Sequence, residues 1–278
     1  MRKYLLSGFA DEIDPMMKKQ YELLHKLGIE YIELRGVNGK NISKLSFDEV
    51  NALKSELDAE QIKISAIGSP VGKIKITDDF TEHFEMFKKL LSFAKILGTR
   101  YIRVFSFYMG GDYETHKSEV FERMSRFIDA AAREDIILLH EHEKDIYGDI
   151  YERCVELMER FYGDNFKCTF DFANFVQCGS DTQKAYEALK PYIEYIHIKD
   201  ALKKNGSVVP PGMGDGQLKP ILEKAFSDGY HGFLSLEPHL YHFHGLEALE
   251  NGRTDKKEKI SGTLAFTTAH DALMNLLK

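Results

Sequence analysis

The sequence predicts a closed (β/α)8 barrel, and two observations carry the prediction. Eight short β-rich runs recur with a period of roughly 33 residues, and helical patterns fill the intervals between them. Four runs in the second half each close on a metal-capable side chain: IILLHE on Glu141, KCTFD on Asp171, YIEYIH on His197 and FLSLE on Glu237. These four lie 30, 26 and 40 residues apart, one strand-plus-helix unit per interval. They can converge only if the strands are parallel and their carboxyl ends open on one point, as at the mouth of a barrel.

The runs are Tyr4–Phe9, Glu30–Leu34, Lys63–Ile67, Tyr101–Phe105, Ile136–His140, Lys167–Phe170, Tyr195–Ile198 and Phe233–Leu236. After the first, Asp14-Pro15 places a capping acceptor ahead of a proline suited to a first helical turn. Leu27-Gly28 and Leu97-Gly98 mark helix ends before strands two and four, where glycine accepts positive φ. Phe84, Phe87, Leu91 and Ala94 fall on one helical face, and Val120, Met124, Phe127 and Ala131 repeat the design one unit later. Pro238 to Lys259 is polar and histidine-bearing, which predicts a long loop over the mouth before a final helix near Ser261–Leu277. No low-complexity linker divides the chain, and a barrel of this kind takes about 250 residues, so residues 1–278 are expected to form one domain. A doubly wound open sheet would carry fewer strands and a phosphate-binding glycine loop after strand one; Gly8-Phe9-Ala10-Asp11-Glu12 offers no such loop.

Bulk properties narrow the function. A hydrophobic content of 43% with 29% charged residues fits a soluble globular enzyme. The net charge of -7 argues against a nucleic-acid partner, whose phosphates call for a basic surface. Cys154, Cys168 and Cys178 are odd in number and form no C-x-x-C pair, which points to a reducing compartment. The opening MRKYLLSGFADEID reaches acids too soon for a signal peptide, and no stretch approaches the roughly 18 apolar residues of a membrane span. The expectation is a cytoplasmic protein with no membrane partner.

Two glutamates, an aspartate and an imidazole make an oxygen-rich donor set with one nitrogen, suited to one Mn²⁺, Mg²⁺ or Co²⁺ ion and tolerant of Zn²⁺. A structural zinc site would call for cysteines. Four protein ligands on an ion that prefers about six leave room for adjacent hydroxyl and carbonyl oxygens of a sugar. Lewis-acid polarisation would then acidify the neighbouring C–H, and its removal gives an enediolate. Glu141 and Glu237, on strands five and eight, are the expected acid/base pair, each worth about 10²–10⁴-fold when well placed. The bland alternative, an acid that caps a helix or pairs with a lysine, suits any one of the four far better than all of them together.

Strand five offers two acids, and Glu141 is chosen as the ligand because it ends the apolar run. In His140-Glu141-His142-Glu143 the period of two sends both glutamates to one side, and Glu143 remains a candidate base or pocket acid. Glu33, Arg35, Ser69, Arg103 and Lys199 lie on or at the ends of other strands and fit a substrate pocket. Arg103 either forks onto a substrate carboxylate or phosphate, or forms a buried pair with Glu33 or Glu141. Lys199-Asp200 reads as an internal salt bridge. The run Gly212-Met213-Gly214-Asp215-Gly216 is a weak match to a dinucleotide loop, and His239, His242 and His244 read as part of a polar surface loop.

At HEHEKDIYGD, FDFANFVQCG, YIHIKDA, VVPPGMGDGQ and GFLSLEPH the chain resembles the sugar phosphate isomerase/epimerase family, whose fold is a xylose isomerase-like TIM barrel. The resemblance covers nearly the whole length. It implies Glu141, Asp171, His197 and Glu237 as ligands of one divalent ion, the two glutamates doubling as acid and base, and a small sugar, sugar phosphate or related hydroxy-carbonyl substrate. Two positions depart from the pattern. Asn174 stands where many relatives have a histidine and is expected to face substrate, and His142 stands where the ketose epimerases have proline. The same superfamily holds metal-dependent dehydratases or lyases, which begin with the same proton abstraction. It also holds endonuclease IV-like DNA repair nucleases, which use about three zinc ions and more histidines than this chain provides. Barrels of this type often form homo-oligomers.

Overall fold

The computed structural model describes residues 4–241, 243 and 260–278. The eight apolar runs form the strands β1 (Leu5–Gly8), β2 (Tyr31–Leu34), β3 (Lys63–Ile67), β4 (Tyr101–Val104), β5 (Ile137–Glu141), β6 (Phe166–Asp171), β7 (Ile193–Ile198) and β8 (Phe233–Leu236). All ladders between them are parallel, in the order β1-β8-β7-β6-β5-β4-β3-β2. The two end strands, β1 and β2, also lie in contact, so the sheet curls nearly to closure. Helices α1 (Met17–Leu27), α2 (Phe47–Ala59), α3 (Phe80–Leu97), α4 (Lys117–Arg133), α5 (Tyr151–Phe161), α6 (Phe172–Gln177), α7 (Thr182–Leu189), α8 (Leu218–Ser227) and α9 (Gly262–Leu276) alternate with the strands, and the fold is a (β/α)8 TIM barrel. Among the described residues no helix is long and apolar enough to cross a membrane.

Strand alternation divides the apolar residues into two cores. Outward-facing Ile32, Leu34, Ile102, Val104, Leu138, Phe170, Ile196, Ile198, Leu234 and Leu236 join the helix faces in one large cluster. The α3 and α4 faces read from the sequence meet there, with Phe87 and Phe127 ring centroids 4.7 Å apart. Each fully buried aromatic of this kind contributes about 1.5–3 kcal/mol. Inside the barrel a smaller cluster of Ala66, Ile137, Leu139 and Tyr195, with Tyr101 and Phe233 packed on it, forms an apolar floor. One pleat above that floor the same columns end in polar residues: Leu139 leads to Glu141, Tyr195 to His197 and Tyr101 to Arg103. The floor raises the chemistry to the mouth.

Local signals explain most boundaries. Gly28 (φ 67°) and Gly98 (φ 75°) end α1 and α3 in the left-handed region, where a side chain would be strained. Ser46 and Glu49 form a reciprocal capping box on α2. The Asp14-Pro15 expectation needs correction: α1 begins at Met17, and Asp14 Oδ1 accepts the Met16 amide at 2.9 Å. A short aspartate bonds its own next turn as readily as a helix end. The final helix starts one residue later than expected, with Ser261 as its cap. Most of the expected loop from 238 to 259 lies outside the described residues.

His140 faces the outer layer from β5. Its Nε2 is 3.0 Å from the Ser106 hydroxyl, which also accepts the Gly148 amide at 2.9 Å. Burial pulls the imidazole down to about 4, against a smaller opposing effect of Glu141. The unfolded chain therefore takes up this proton first, so the stability is present above pH 6.5 and is lost as pH falls toward 4. For one such group the loss at pH 5 is about 2 kcal/mol. Urea unfolding of wild type and His140→Gln at pH 7 and pH 5 checks this: the wild type should lose about 2 kcal/mol more than the variant. Equal losses in the two proteins would remove His140 from the acid response.

Candidate metal centre

Four strand ends bring their side chains to one point. Glu141 is the last residue of β5, Asp171 the last of β6, His197 the next-to-last of β7, and Glu237 follows β8 directly. One donor atom from each lies within 4.8 Å of the others, and all four residues are buried. His197 turns Nδ1 toward the carboxylates, 3.1 Å from Glu141 Oε1, 3.7 Å from Asp171 Oδ2 and 3.8 Å from Glu237 Oε2. Asp171 also caps α6, its Oδ1 accepting the Asn174 amide at 2.8 Å, which leaves Oδ2 for the centre.

Cations ring the cluster. Lys199 places Nζ 2.8 Å from Glu237 Oε2 and 3.1 Å from Asp171 Oδ2. Arg103 Nη1 lies 3.1 Å from Glu141 Oε2 and 3.7 Å from Glu237 Oε1. Arg35 reaches Glu237 Oε1 at 3.0 Å, Glu12 at 3.2 Å and both oxygens of Asp11. Both guanidiniums pack on the Phe9 ring, 4.3 and 4.8 Å from its centroid.

These contacts settle the protonation tendencies. Burial works against the carboxylate of Glu237, but Lys199 and His239 overcome it and hold the group well below its ordinary range. His197 and Arg103 do the same for Glu141. Burial disfavours the imidazolium of His197, yet Glu33 and Glu141 raise it well above the usual histidine value. Glu12, in contrast, is raised by its burial.

The donor set fits a divalent cation. Six carboxylates, Asp11, Glu12, Glu33, Glu141, Asp171 and Glu237, gather in a largely buried place around Arg35, Arg103, Lys199 and the imidazole of His197, whose Nδ1 proton a divalent ion would replace. Among the described residues Glu141 Oε2 and Asp171 Oδ2 accept no hydrogen bond; the first is paired with Arg103, and the second with Lys199 and, at 3.7 Å, His197. Mn²⁺, Mg²⁺, Co²⁺ or Zn²⁺ would take such oxygens with the one nitrogen.

The other expected pocket residues are distributed unevenly. Arg103 takes the paired alternative, on Glu141. Glu143 points elsewhere, to Lys73 at 3.1 Å, so Glu141 is the strand-five acid of the cluster. Glu33 is not at the open side: it lies behind the imidazole, 3.0 Å from His197 Nε2. Ser69 is bound to the Arg103 carbonyl and accepts the Val71 amide at 3.2 Å, a stitch between loops. Asn174 donates Nδ2 to Glu141 Oε1 at 3.1 Å and to the His142 carbonyl at 2.9 Å, and so steadies a candidate ligand. His142 stacks on Phe175.

Lys199 and Asp200 do not form the expected salt bridge. Asp200 accepts the amides of Gly212, Gly214 and Gly216, each at 2.9 Å. The glycine run is therefore tied to a carboxylate. Any Cβ on Gly214 or Gly216 would run into Asp200, which explains the small residues. Sequence reasoning missed Glu12 and His239. The imidazole of His239 is buried, 3.4 Å from both Glu12 Oε1 and Glu237 Oε1, a correction to the surface-loop expectation. Its signal was the period of two from Glu237; His242 and His244 lie outside the described residues.

A family model described as a xylose isomerase-like TIM barrel matches residues 21–260. A 3-dehydroshikimate dehydratase of Bacillus anthracis is 24% identical over 185 residues, and the match covers 64% of this chain and 64% of that protein. Among solved structures, the IOLI protein with a bound zinc atom superposes with TM-score 0.77 at 18% identity over 98% of both chains. D-psicose 3-epimerase of Clostridium cellulolyticum H10, solved with D-tagatose, gives 0.76 at 14% identity, also over 98% of both chains. At such identities the likeness to the solved structures carries the fold.

Proposed function

The chain belongs to the xylose isomerase-like TIM-barrel family, and from the buried tetrad we propose a divalent-metal-dependent isomerase or epimerase of a small sugar, sugar phosphate or related hydroxy-carbonyl compound. The observation that carries the reading is that Glu141 from β5 and Glu237 from the end of β8, two strands lying between them, reach one cluster with Asp171 and His197. Those four would hold the ion, which when bound would polarise a substrate carbonyl and acidify the C–H beside it.

The side chains supply the proton traffic. Glu237 and Glu141 are both kept ionised by their cationic neighbours. A carboxylate of low pKa is a weak base and removes a proton only from a carbon already made acidic. One of the pair takes the proton and the other returns it, to the opposite face for an epimer or to the next carbon for an isomer. Asn174 fixes the aim of Glu141, while Lys199 and Arg35 fix that of Glu237. The apolar floor and the Phe9 ring exclude water from below.

A second reading, metal-dependent dehydration, is favoured by the match to the 3-dehydroshikimate dehydratase. It shares the first proton abstraction and then expels a hydroxyl from the next carbon. The nuclease reading loses support, because Ser69 and Asn174 carry structural bonds where further imidazoles would be needed.

One experiment separates them. The Mn²⁺-loaded chain is offered ketoses, aldoses, their phosphates and 3-dehydroshikimate in deuterated water and followed by proton NMR. Exchange of an α-proton with retention of all oxygens supports the isomerase/epimerase. Loss of water supports the dehydratase. No Mn²⁺-dependent exchange on any of them would sink both.

A further inference from the structure

The His197 imidazole is confined on every side. Phe9 meets it edge-on at 5.4 Å and Tyr195 at 5.8 Å. On the side away from the tetrad both Glu33 oxygens approach Nε2, at 3.0 and 3.2 Å. Glu33 is in turn held by the Ser235 hydroxyl, which donates to Oε2 at 2.7 Å.

The height of Glu33 is set by an irregularity in the barrel. The β2–β3 register shifts between Ile32 and Glu33, so that Ile32 opposes Ile64 while Glu33 opposes Ala66. Ser65 is the extra residue. Its hydroxyl donates to the Ile32 carbonyl at 3.1 Å, and it meets Ser7 Oγ at 2.6 Å and the Tyr195 hydroxyl at 2.8 Å. A bulge beside a site commonly re-aims a side chain, and this one is pinned by a buried polar network.

We propose that Glu33 is the positioning residue of the centre: it holds the hydrogen of His197 on Nε2, so that Nδ1 is the nitrogen offered toward Glu141, Asp171 and Glu237. A carboxylate oxygen only accepts, so both nitrogens carry a hydrogen while the ring stands between Glu33 and Glu141; a divalent ion would take the place of the Nδ1 proton, and Nε2 would keep its own against Glu33. Glu33 thereby acts through His197 and does not meet substrate. The inference deepens the reading of the tetrad as a cation site and rests on it.

The test uses the full chain stripped of metal and titrated with Mn²⁺. Glu33→Gln should bind Mn²⁺ on the order of 10- to 100-fold more weakly than wild type. Ser235→Ala should weaken it by a smaller factor. In Zn²⁺-loaded wild type, two-bond proton–nitrogen NMR of the histidine rings should show Nδ1 shifted by the metal and Nε2 carrying a protected, hydrogen-bonded proton. A packing role would not dictate which nitrogen holds the proton, and this spectrum needs no variant to fold. Ligation through Nε2, or undiminished Mn²⁺ affinity in folded Glu33→Gln, overturns the inference. Wild type that takes up no Mn²⁺ overturns the cation-site reading itself, so the two failures are distinguishable.

Discussion

Glu237→Gln should keep the barrel and stop exchange of the substrate α-proton with deuterated water, a loss of at least about 10²–10⁴-fold if Glu237 is one of the two proton carriers. The substitution conserves shape but not charge. Arg35 still finds an oxygen to donate to, whereas Lys199 loses one of its two carboxylates and faces an amide. Breaking one partner of a buried charge cluster costs about 3–5 kcal/mol, so a lower melting temperature is expected alongside the kinetic loss. Because Glu237 is also a candidate ligand, Mn²⁺ content is measured on the same sample. Exchange abolished with the ion still bound assigns the proton transfer to this carboxylate. Exchange at the wild-type rate would remove Glu237 from the reaction.

His197→Ala should all but eliminate binding of the divalent ion, since it deletes the one nitrogen donor and leaves Glu33 as a buried carboxylate without its imidazole. Stabilisation by ligand follows mass action, about 2.7 kcal/mol when free ion is at 100 times its Kd. The wild-type melting temperature should therefore rise on adding Mn²⁺, and that of His197→Ala should not move. Metal content equal to wild type in the variant would show that the ligand has been misassigned. A wild-type melting temperature indifferent to Mn²⁺, Mg²⁺, Co²⁺ and Zn²⁺ would show the tetrad to be a structural ion cluster.

Much of this was legible in the chain because a period of two and a period of about 33 residues are both strong signals. Strands β3 and β8 lie where the apolar runs place them, and the others shift by one or two residues at their ends. Glu141, Asp171, His197 and Glu237 were readable because each directly ends an apolar run. The choice of Glu141 over Glu143 rested on the end of the apolar run alone, since alternation puts both on one face; in the fold Glu141 joins the cluster while Lys73 holds Glu143. Glu33 was placed in the substrate pocket because nothing in KLGIEYIELRG announces that the bulge opposite lowers it behind His197. His239 was hidden by a polar neighbourhood that reads as solvent-exposed loop, and it is buried by contacts from Glu12, more than two hundred residues away in sequence. Patterns report which face a residue takes. They do not report what arrives on that face from the other end of the chain.

The apolar floor beneath the tetrad has a consequence for how the protein answers ionic strength. Mobile counterions screen over about 8 Å at physiological salt, but only where they can go. Ala66, Ile137, Leu139 and Tyr195 admit none from below, and the charged groups above them are themselves buried. The field among Glu141, Lys199, Arg103 and Glu237 is therefore set by the fold, while exposed pairs such as Lys19 with Asp14 fade as salt is added. Added electrolyte should therefore leave the proposed proton transfer at this centre nearly untouched.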